Sequence, residues 1–195
     1  MQPQTGDILL FRGDVHNAID KLIMDVTNSI YSHCAIVVKD PWWGDLKKGL
    51  YVIQADGDPV RSAESDIDVR GVTLSLLKDS IQGRNVDIRR IANVKYNSNF
   101  FKKFEEIHSV VHNLPYDSSV LDWIKVGLSN FGFSCFNIRH NNNFWCSALV
   151  GYFYTRLKWL PVTTNWSNMT PQDIATCETV SPVVLGDIEI FNMKK

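Results

Sequence analysis

Phe144-Trp145-Cys146-Ser147-Ala148-Leu149-Val150 is the stretch that decides the fold, because it places a cysteine at the start of an apolar helix pattern. Apolar residues continue at helical spacing beyond it, so we predict a helix over 145–157. The positive end of a helix dipole lowers the pKa of a cysteine in the first turn, and the thiolate is the form that attacks carbonyl carbon. Cys146 is therefore a candidate nucleophile.

A candidate base for this cysteine lies far upstream, at the start of a predicted strand. Ser32-His33 opens a short β-branched run that ends at Lys39-Asp40-Pro41, which is typical of a buried strand. An imidazole within hydrogen-bond reach of a thiol completes a thiolate–imidazolium pair. His33 is therefore predicted to act on Cys146.

The periodicity of the chain predicts an α+β fold. Strands are predicted over 8–11, 33–38, 50–55, 86–91 and 183–191, and helices over 15–30, 100–114 and 145–157. Segment 72–77 fits a strand or a helix, Asp56-Gly57-Asp58-Pro59 is predicted to end the third strand, and Gly6-Asp7 to turn the chain before the first. Strands clustered early and late around a helical middle indicate one α+β domain over residues 1–195.

Composition and charge exclude several function classes. The formal net charge is −1 with acids and bases interspersed, so we expect no nucleic-acid partner. No apolar run is long enough to span a bilayer, and the first residues do not resemble a secretory signal, so we expect no transmembrane segment and a cytoplasmic location. The four cysteines show no CxxC spacing and are predicted to be reduced: Cys34, Cys135, Cys146 and Cys177.

Four segments of the chain resemble, in the same order, the circularly permuted papain-like cysteine hydrolase superfamily. They are Thr5-Gly6-Asp7-Ile8-Leu9-Leu10-Phe11, Tyr31-Ser32-His33-Cys34-Ala35-Ile36-Val37-Val38, Tyr51-Val52-Ile53-Gln54-Ala55 and Phe144-Trp145-Cys146-Ser147-Ala148-Leu149-Val150. That group includes YiiX-type amidases, lecithin:retinol acyltransferase-like enzymes and related viral proteins, and NlpC-type peptidases are its unpermuted relatives. The resemblance implies a small antiparallel sheet packed against helices, with the nucleophile at a helix N-terminus.

The resemblance also assigns candidate catalytic residues. Cys146 matches the nucleophile of the family and His33 its base. Gln54 falls where many members place a third polar residue, often glutamate or histidine, that orients the imidazole. A glutamine can orient an imidazole but cannot stabilise imidazolium as a carboxylate would. Asp56 is two residues further along the strand, on the same face as Gln54, and is the alternative orienting residue.

The first turn of the predicted helix also offers groups that could bind a developing oxyanion. Its backbone N–H groups, that of Cys146 above all, have no partner within the helix. Tyr116, in a segment that resembles the one before the family's nucleophile, is a possible second donor. Trp145 and Ser147, on either side of the cysteine, are further candidates for contact with the oxyanion or the substrate.

Other chemistry-bearing residues have simpler interpretations. His108 and His112 have the spacing of a zinc pair on a helix but no nearby third ligand in the sequence, so we predict surface histidines, no metal and no cofactor. Cys34 should point to the face of its strand opposite to the preceding histidine and pack in the core. Trp42 and Trp43 could cover the cleft, touch a partner or dip into a membrane surface, but packing on the protein body is favoured.

Three functions fit the sequence. The first is a thiol hydrolase, an amidase or cysteine peptidase, that cleaves an amide or ester through a Cys146 acyl-enzyme with His33 as general base, on a small-molecule, peptide or lipid-linked substrate. The second is a lipid-directed acyltransferase or phospholipase with the same dyad and peripheral membrane contact. Its apolar ligand would suit the aromatic residues Trp42, Trp43, Phe131, Phe133, Phe136 and Trp145. The third is a binding or assembly module. The superfamily occurs in bacteria and large viruses, and a viral member could be virion-associated.

Overall fold

The computed structural model describes residues 2–117 and 144–191, and a six-stranded antiparallel sheet runs through them in the order β4-β3-β2-β1-β5-β6. The strands are β1 (Ile8–Arg12), β2 (Tyr31–Lys39), β3 (Leu50–Arg61), β4 (Asp68–Leu76), β5 (Val86–Ala92) and β6 (Val184–Ile190). The helices are α1 (Ala18–Thr27), α2 (Leu77–Ser80), α3 (Ser98–Val111), α4 (Cys146–Arg156) and α5 (Pro171–Thr176), with a 3₁₀ turn at Trp166–Asn168. The α+β prediction is confirmed.

The centre of the sheet is buried on both faces. From β2, Cys34, Ile36 and Val38 join the larger core cluster together with α3 and α4, whereas Ala35 and Val37 join a smaller cluster on the other face. A strand that is buried on both faces has no polar alternation, which explains the continuous apolar run seen in the sequence. The face of the sheet that carries the larger cluster packs against α3 and α4, and β2 contacts α4 directly.

Helix α4 is buried on all sides. The sequence predicts one apolar stripe, but every residue from Cys146 to Tyr154 is buried. Gly151 permits this burial, since a Cβ there would lie 2.7 Å from Met169 Sδ and 3.1 Å from Trp166 Cβ. The Tyr154 hydroxyl donates a hydrogen bond to the Gly6 carbonyl at 2.6 Å, which ties the helix to the start of the sheet.

One predicted strand end is wrong. Asp56-Gly57-Asp58-Pro59 does not end β3, which continues to Arg61 and pairs with β4 on both sides of a bulge between Asp56 and Val60. A bulge absorbs extra residues without ending the ladder, so the turn-forming sequence is held inside a strand. The ambiguous segment 72–77 belongs to β4 and the start of α2, and β6 closes the sheet as predicted.

In the part of the chain that the structure describes, helices of sufficient length and hydropathy to cross a bilayer are absent.

Asp7 stabilises the start of the sheet, in agreement with its predicted role in the turn. Its side chain is 1% exposed and accepts hydrogen bonds from the backbone N–H groups of Ile91 and Gln4, each at 2.8 Å. We expect Asp7→Ala to lower the free energy of unfolding by about 1–3 kcal/mol. Both backbone N–H groups lose their acceptor, and the N–H of Ile91 is buried. Urea denaturation measures this loss, and the exposed Asp45→Ala is the control. Equal stability of the two variants would contradict the assignment.

Candidate active site

The candidate site lies where β2 and β3 stop pairing. Their ladder joins residues 36–39 of β2 to 50–53 of β3 and ends at Ile36 and Ile53. His33 and Gln54 lie just beyond that end, one on each strand. Because α4 packs against both strands, its first residue, Cys146, is brought to the same region. The fold thus brings together three residues that are far apart in the sequence.

The His33 imidazole is held in one orientation. Its Nε2 lies 2.9 Å from Gln54 Oε1, while Gln54 Nε2 donates to the hydroxyls of Ser75 at 2.9 Å and Ser80 at 3.2 Å. Since the amide nitrogen donates to two hydroxyls, the amide oxygen is the atom that faces the ring and accepts from Nε2–H. Nδ1 is then the nitrogen left to interact with Cys146. Phe11 packs edge-on against the His33 ring, with the two ring centroids 5.0 Å apart.

The electrostatics of the pair favour a thiolate and an imidazolium. Burial alone lowers the pKa of His33, but its hydrogen bond to Cys146 and the negative charges of Cys146 and Asp56 raise that pKa to about 9. A hydrogen bond from the Cys34 thiol lowers the pKa of Cys146, whereas burial raises it. The hydrogen bond and the positive charge of His33 lower it further, so the pKa of Cys146 lies well below its usual range. At neutral pH the charged form of the pair is favoured.

Tyr116 and Asp56 both lie near the pair. Burial raises the pKa of the Tyr116 phenol well above its usual value, and the charges of Cys146 and Asp56 raise it further. Tyr116 is held there by a bridge to Phe144 and by van der Waals contact with Gly57, where a Cβ would lie 3.3 Å from its ring. Asp56 accepts a hydrogen bond from the backbone of Asp58, so Gln54 is the hydrogen-bond partner of His33 and Asp56 acts on it through charge.

The other two predicted contact residues anchor the start of α4. Trp145 Nε1 donates to the Met169 carbonyl at 3.0 Å, and Ser147 Oγ donates to the same oxygen. Trp145 is the N-cap of α4, and its side chain does not cap the helix. The backbone N–H groups of this turn, rather than these side chains, are therefore the donors that remain for an anion.

Three residues that contact the candidate site do not stand out in the sequence. Cys34 is fully buried, which confirms the predicted core packing, but its thiol also hydrogen-bonds to Cys146 and lowers that cysteine's pKa. The strict alternation of strand side chains hid this contact, because it assigned adjacent residues to unrelated environments. Ser75 and Ser80 fix the Gln54 amide, and no pattern in the sequence marks them.

The prediction of surface histidines is wrong, and the fold brings a distant third ligand-type residue, Glu64, to the pair. His108 is only 3% exposed and His112 is half-buried. His108 Nε2 lies 2.9 Å from Glu64 Oε1, and His112 Nδ1 lies 3.0 Å from Glu64 Oε2. Glu64 comes from the connection between β3 and β4, 44 residues before His108, so spacing along the helix could not reveal it.

Comparison with known proteins shows that the fold is shared with a solved structure. The chain is similar to the crystal structure of metalloprotein yiiX from Escherichia coli O157:H7, with a TM-score of 0.54 and 23% sequence identity over 83% of this chain and 70% of the other. No protein-family model matches the chain, and no curated protein is significantly similar to it. The structural likeness supports the sequence resemblance at the level of the fold.

Proposed function

We propose that the protein is a cysteine hydrolase that cleaves an amide or ester bond through an acyl-enzyme on Cys146. The observation that carries this proposal is the interaction of Cys146, at a helix N-terminus, with His33, whose second ring nitrogen is held by Gln54. Cysteines that serve only as buried hydrophobic residues do not have a lowered pKa. An activated thiol beside an oriented imidazole is the minimum machinery for acyl transfer.

The reaction follows from these groups. The Cys146 thiolate attacks the carbonyl carbon and forms a C–S bond, while the N–H groups at the start of α4 stabilise the oxyanion. The His33 imidazolium gives its proton to the leaving nitrogen or oxygen as the C–N or C–O bond breaks. Neutral His33 then takes a proton from water, which attacks the thioester, releases the carboxylic acid product and restores Cys146. Tyr116 keeps its proton, since its pKa is raised, and can donate a second hydrogen bond to the oxyanion.

Two residues share the work of a carboxylate orienting residue. Gln54 fixes the direction of the His33 ring through a neutral hydrogen bond, as asparagine does in papain-like proteases. Asp56 supplies the negative charge that Gln54 lacks, and that charge raises the pKa of His33. The neutral residue at position 54 is therefore compatible with catalysis.

The packing of two tryptophans gives the lipid-directed alternative less support than the hydrolase of soluble substrates. A groove of about 300 Å³ with Arg84 in its wall opens beside Gln54 and Asp56, and its lining does not include Cys146 or His33. Trp42 and Trp43 are partly buried and donate hydrogen bonds to the Phe101 carbonyl at 3.2 Å and to Glu64 at 2.8 Å, so they pack on the protein body as predicted and expose less apolar surface to a lipid. Of the other aromatic residues in the lipid hypothesis, Phe131, Phe133 and Phe136 lie outside the described residues.

Turnover of a substrate panel tests the proposal. The panel contains small amides, peptides, esters and phospholipid vesicles, and intact-protein mass spectrometry during turnover detects an acyl adduct. We expect hydrolysis of at least one amide or ester, with an adduct on the peptide that carries Cys146 and none in Cys146→Ala. Release of fatty acid from vesicles alone would favour the lipid-directed enzyme. A stable, unreactive Cys146 with every substrate would indicate a binding module.

A further inference from the structure

A second cluster of chemistry-bearing side chains joins α3 to the connection between β3 and β4. One oxygen of Glu64 and one ring nitrogen each of His108 and His112 lie within 4.8 Å of one another. The two histidines are one turn apart, with the second just beyond the end of α3, so their side chains lie on the same side of the helix. None of these residues takes part in the proposed acyl transfer.

The hydrogen bonds of the cluster are incomplete. Glu64 Oε1 accepts from Trp43 Nε1 at 2.8 Å and lies 2.9 Å from His108 Nε2, so this oxygen is satisfied. Within the described ranges 2–117 and 144–191, Glu64 Oε2, His112 Nδ1 and His108 Nδ1 are buried and have no hydrogen-bond partner. Buried polar atoms are rarely left in this state, and an ion that is bound in the functional protein is one common reason.

Two of the three buried atoms without a hydrogen-bond partner have a spacing that fits a shared ion. Glu64 Oε2 and His112 Nδ1 are 3.0 Å apart without the geometry of a hydrogen bond. Two ligand atoms, each about 2.0–2.1 Å from one zinc-sized ion, lie about 2.9–3.4 Å apart when their bonds meet at 90° to 110°. A small adjustment of side chains would thus place both atoms on one ion, with His108 close enough to complete the set.

The ligand types of the cluster also suit a cation. Glu64 offers two carboxylate oxygens, one of which has no hydrogen-bond partner among the described residues. A carboxylate beside two imidazoles brings the negative charge that a cation site needs. Two imidazoles and one carboxylate form a ligand set that selects zinc and similar first-row transition ions over magnesium or calcium, which prefer oxygen ligands.

We propose that Glu64, His108 and His112 form a binding site for a divalent transition-metal ion of the zinc class. Solvent completes the coordination on the side of His112, whose side chain is 27% exposed against 4% for His108. The bound ion would join the β3–β4 connection to the end of α3. The chain continues from His112 into the segment that holds Tyr116, so the ion would also brace one wall of the candidate active site.

Zinc titration of purified, tag-free protein tests this site independently of turnover. The background is Cys146→Ala, which removes the low-pKa thiol as a competing ligand. The chelator-stripped protein is titrated with Zn²⁺ against a chromophoric indicator, and Co²⁺ is used as a spectroscopic probe of nitrogen and oxygen ligation. Glu64→Gln and His112→Asn remove ligands in this background, and the exposed His16→Asn is the matched control.

We expect one equivalent of Zn²⁺ in the background and in His16→Asn, and affinity weaker by at least about tenfold in Glu64→Gln and His112→Asn. Zinc should also raise the melting temperature of the background but not that of His112→Asn. Circular dichroism verifies that each variant folds. If Glu64→Gln does not fold, His112→Asn still tests the site, because the partly exposed His112 can be replaced with less disturbance of the core. Absence of zinc binding, or binding that both ligand variants retain, would overturn the proposal.

Discussion

Cys146→Ala is expected to abolish turnover and to remove the fast-reacting thiol of the native protein. The physical reason is that a thiolate at the start of α4 supplies the nucleophile, and a methyl group cannot form the acyl-enzyme. Loss of a nucleophile costs on the order of 10³-fold or more in turnover. Iodoacetamide labelling at neutral pH, followed by peptide mass spectrometry, measures the thiol directly, without knowledge of the substrate.

Two other cysteines provide controls for this experiment. Cys177 is half-buried, and burial raises its pKa, so Cys177→Ala should leave the labelling of Cys146 unchanged. Cys34→Ala should slow that labelling at neutral pH without abolishing it, because the hydrogen bond from Cys34 lowers the pKa of Cys146. If the native protein is labelled at Cys177 while Cys146 stays unmodified, the acyl-enzyme mechanism would have to be abandoned.

The fold could be predicted well where local pattern and burial agree. The run from His33 to Val38 is apolar because β2 is buried on both faces, and the apolar periodicity around Cys146 corresponds to α4. The sequence could not reveal that β3 continues to Arg61. Turn-forming residues end a strand in isolation, but pairing with β4 across a bulge overrides that tendency.

The candidate site was predictable to the extent that it depends on residue type and order. The sequence predicts Cys146, His33 and Gln54 as candidate catalytic residues, and the structure brings the three together. The contacts that tune them depend on tertiary packing. Cys34 reaches Cys146 only because α4 begins beside the end of the β2–β3 ladder. Glu64 meets His108 across 44 residues, which no spacing rule covers.

His33→Ala is expected to change the pH dependence of Cys146 labelling as well as abolish turnover. Without the imidazolium, burial of Cys146 is opposed mainly by the hydrogen bond from Cys34, so the pKa of Cys146 rises. A thiol with an ordinary pKa of about 8.5 is roughly 1% thiolate at about pH 6.5, so labelling there should fall by up to about 100-fold and recover at alkaline pH. Labelling rates across the pH range, with circular dichroism as the check on folding, measure this shift.

The pH dependence of turnover and of Cys146 labelling in the wild-type protein separates the two roles of His33, as proton donor and as the positive charge that stabilises the thiolate. Its pKa is raised to about 9, so the imidazolium persists below that pH and is lost as the pH rises through it. Turnover needs this proton for the leaving group and should therefore decline as the pH rises through about 9, whereas labelling needs only the thiolate and should not. Gln54→Ala should lower turnover less than His33→Ala, by up to about 100-fold, because it frees the ring without removing it. If turnover and labelling depend on pH in the same way above about pH 9, His33 is not the proton donor.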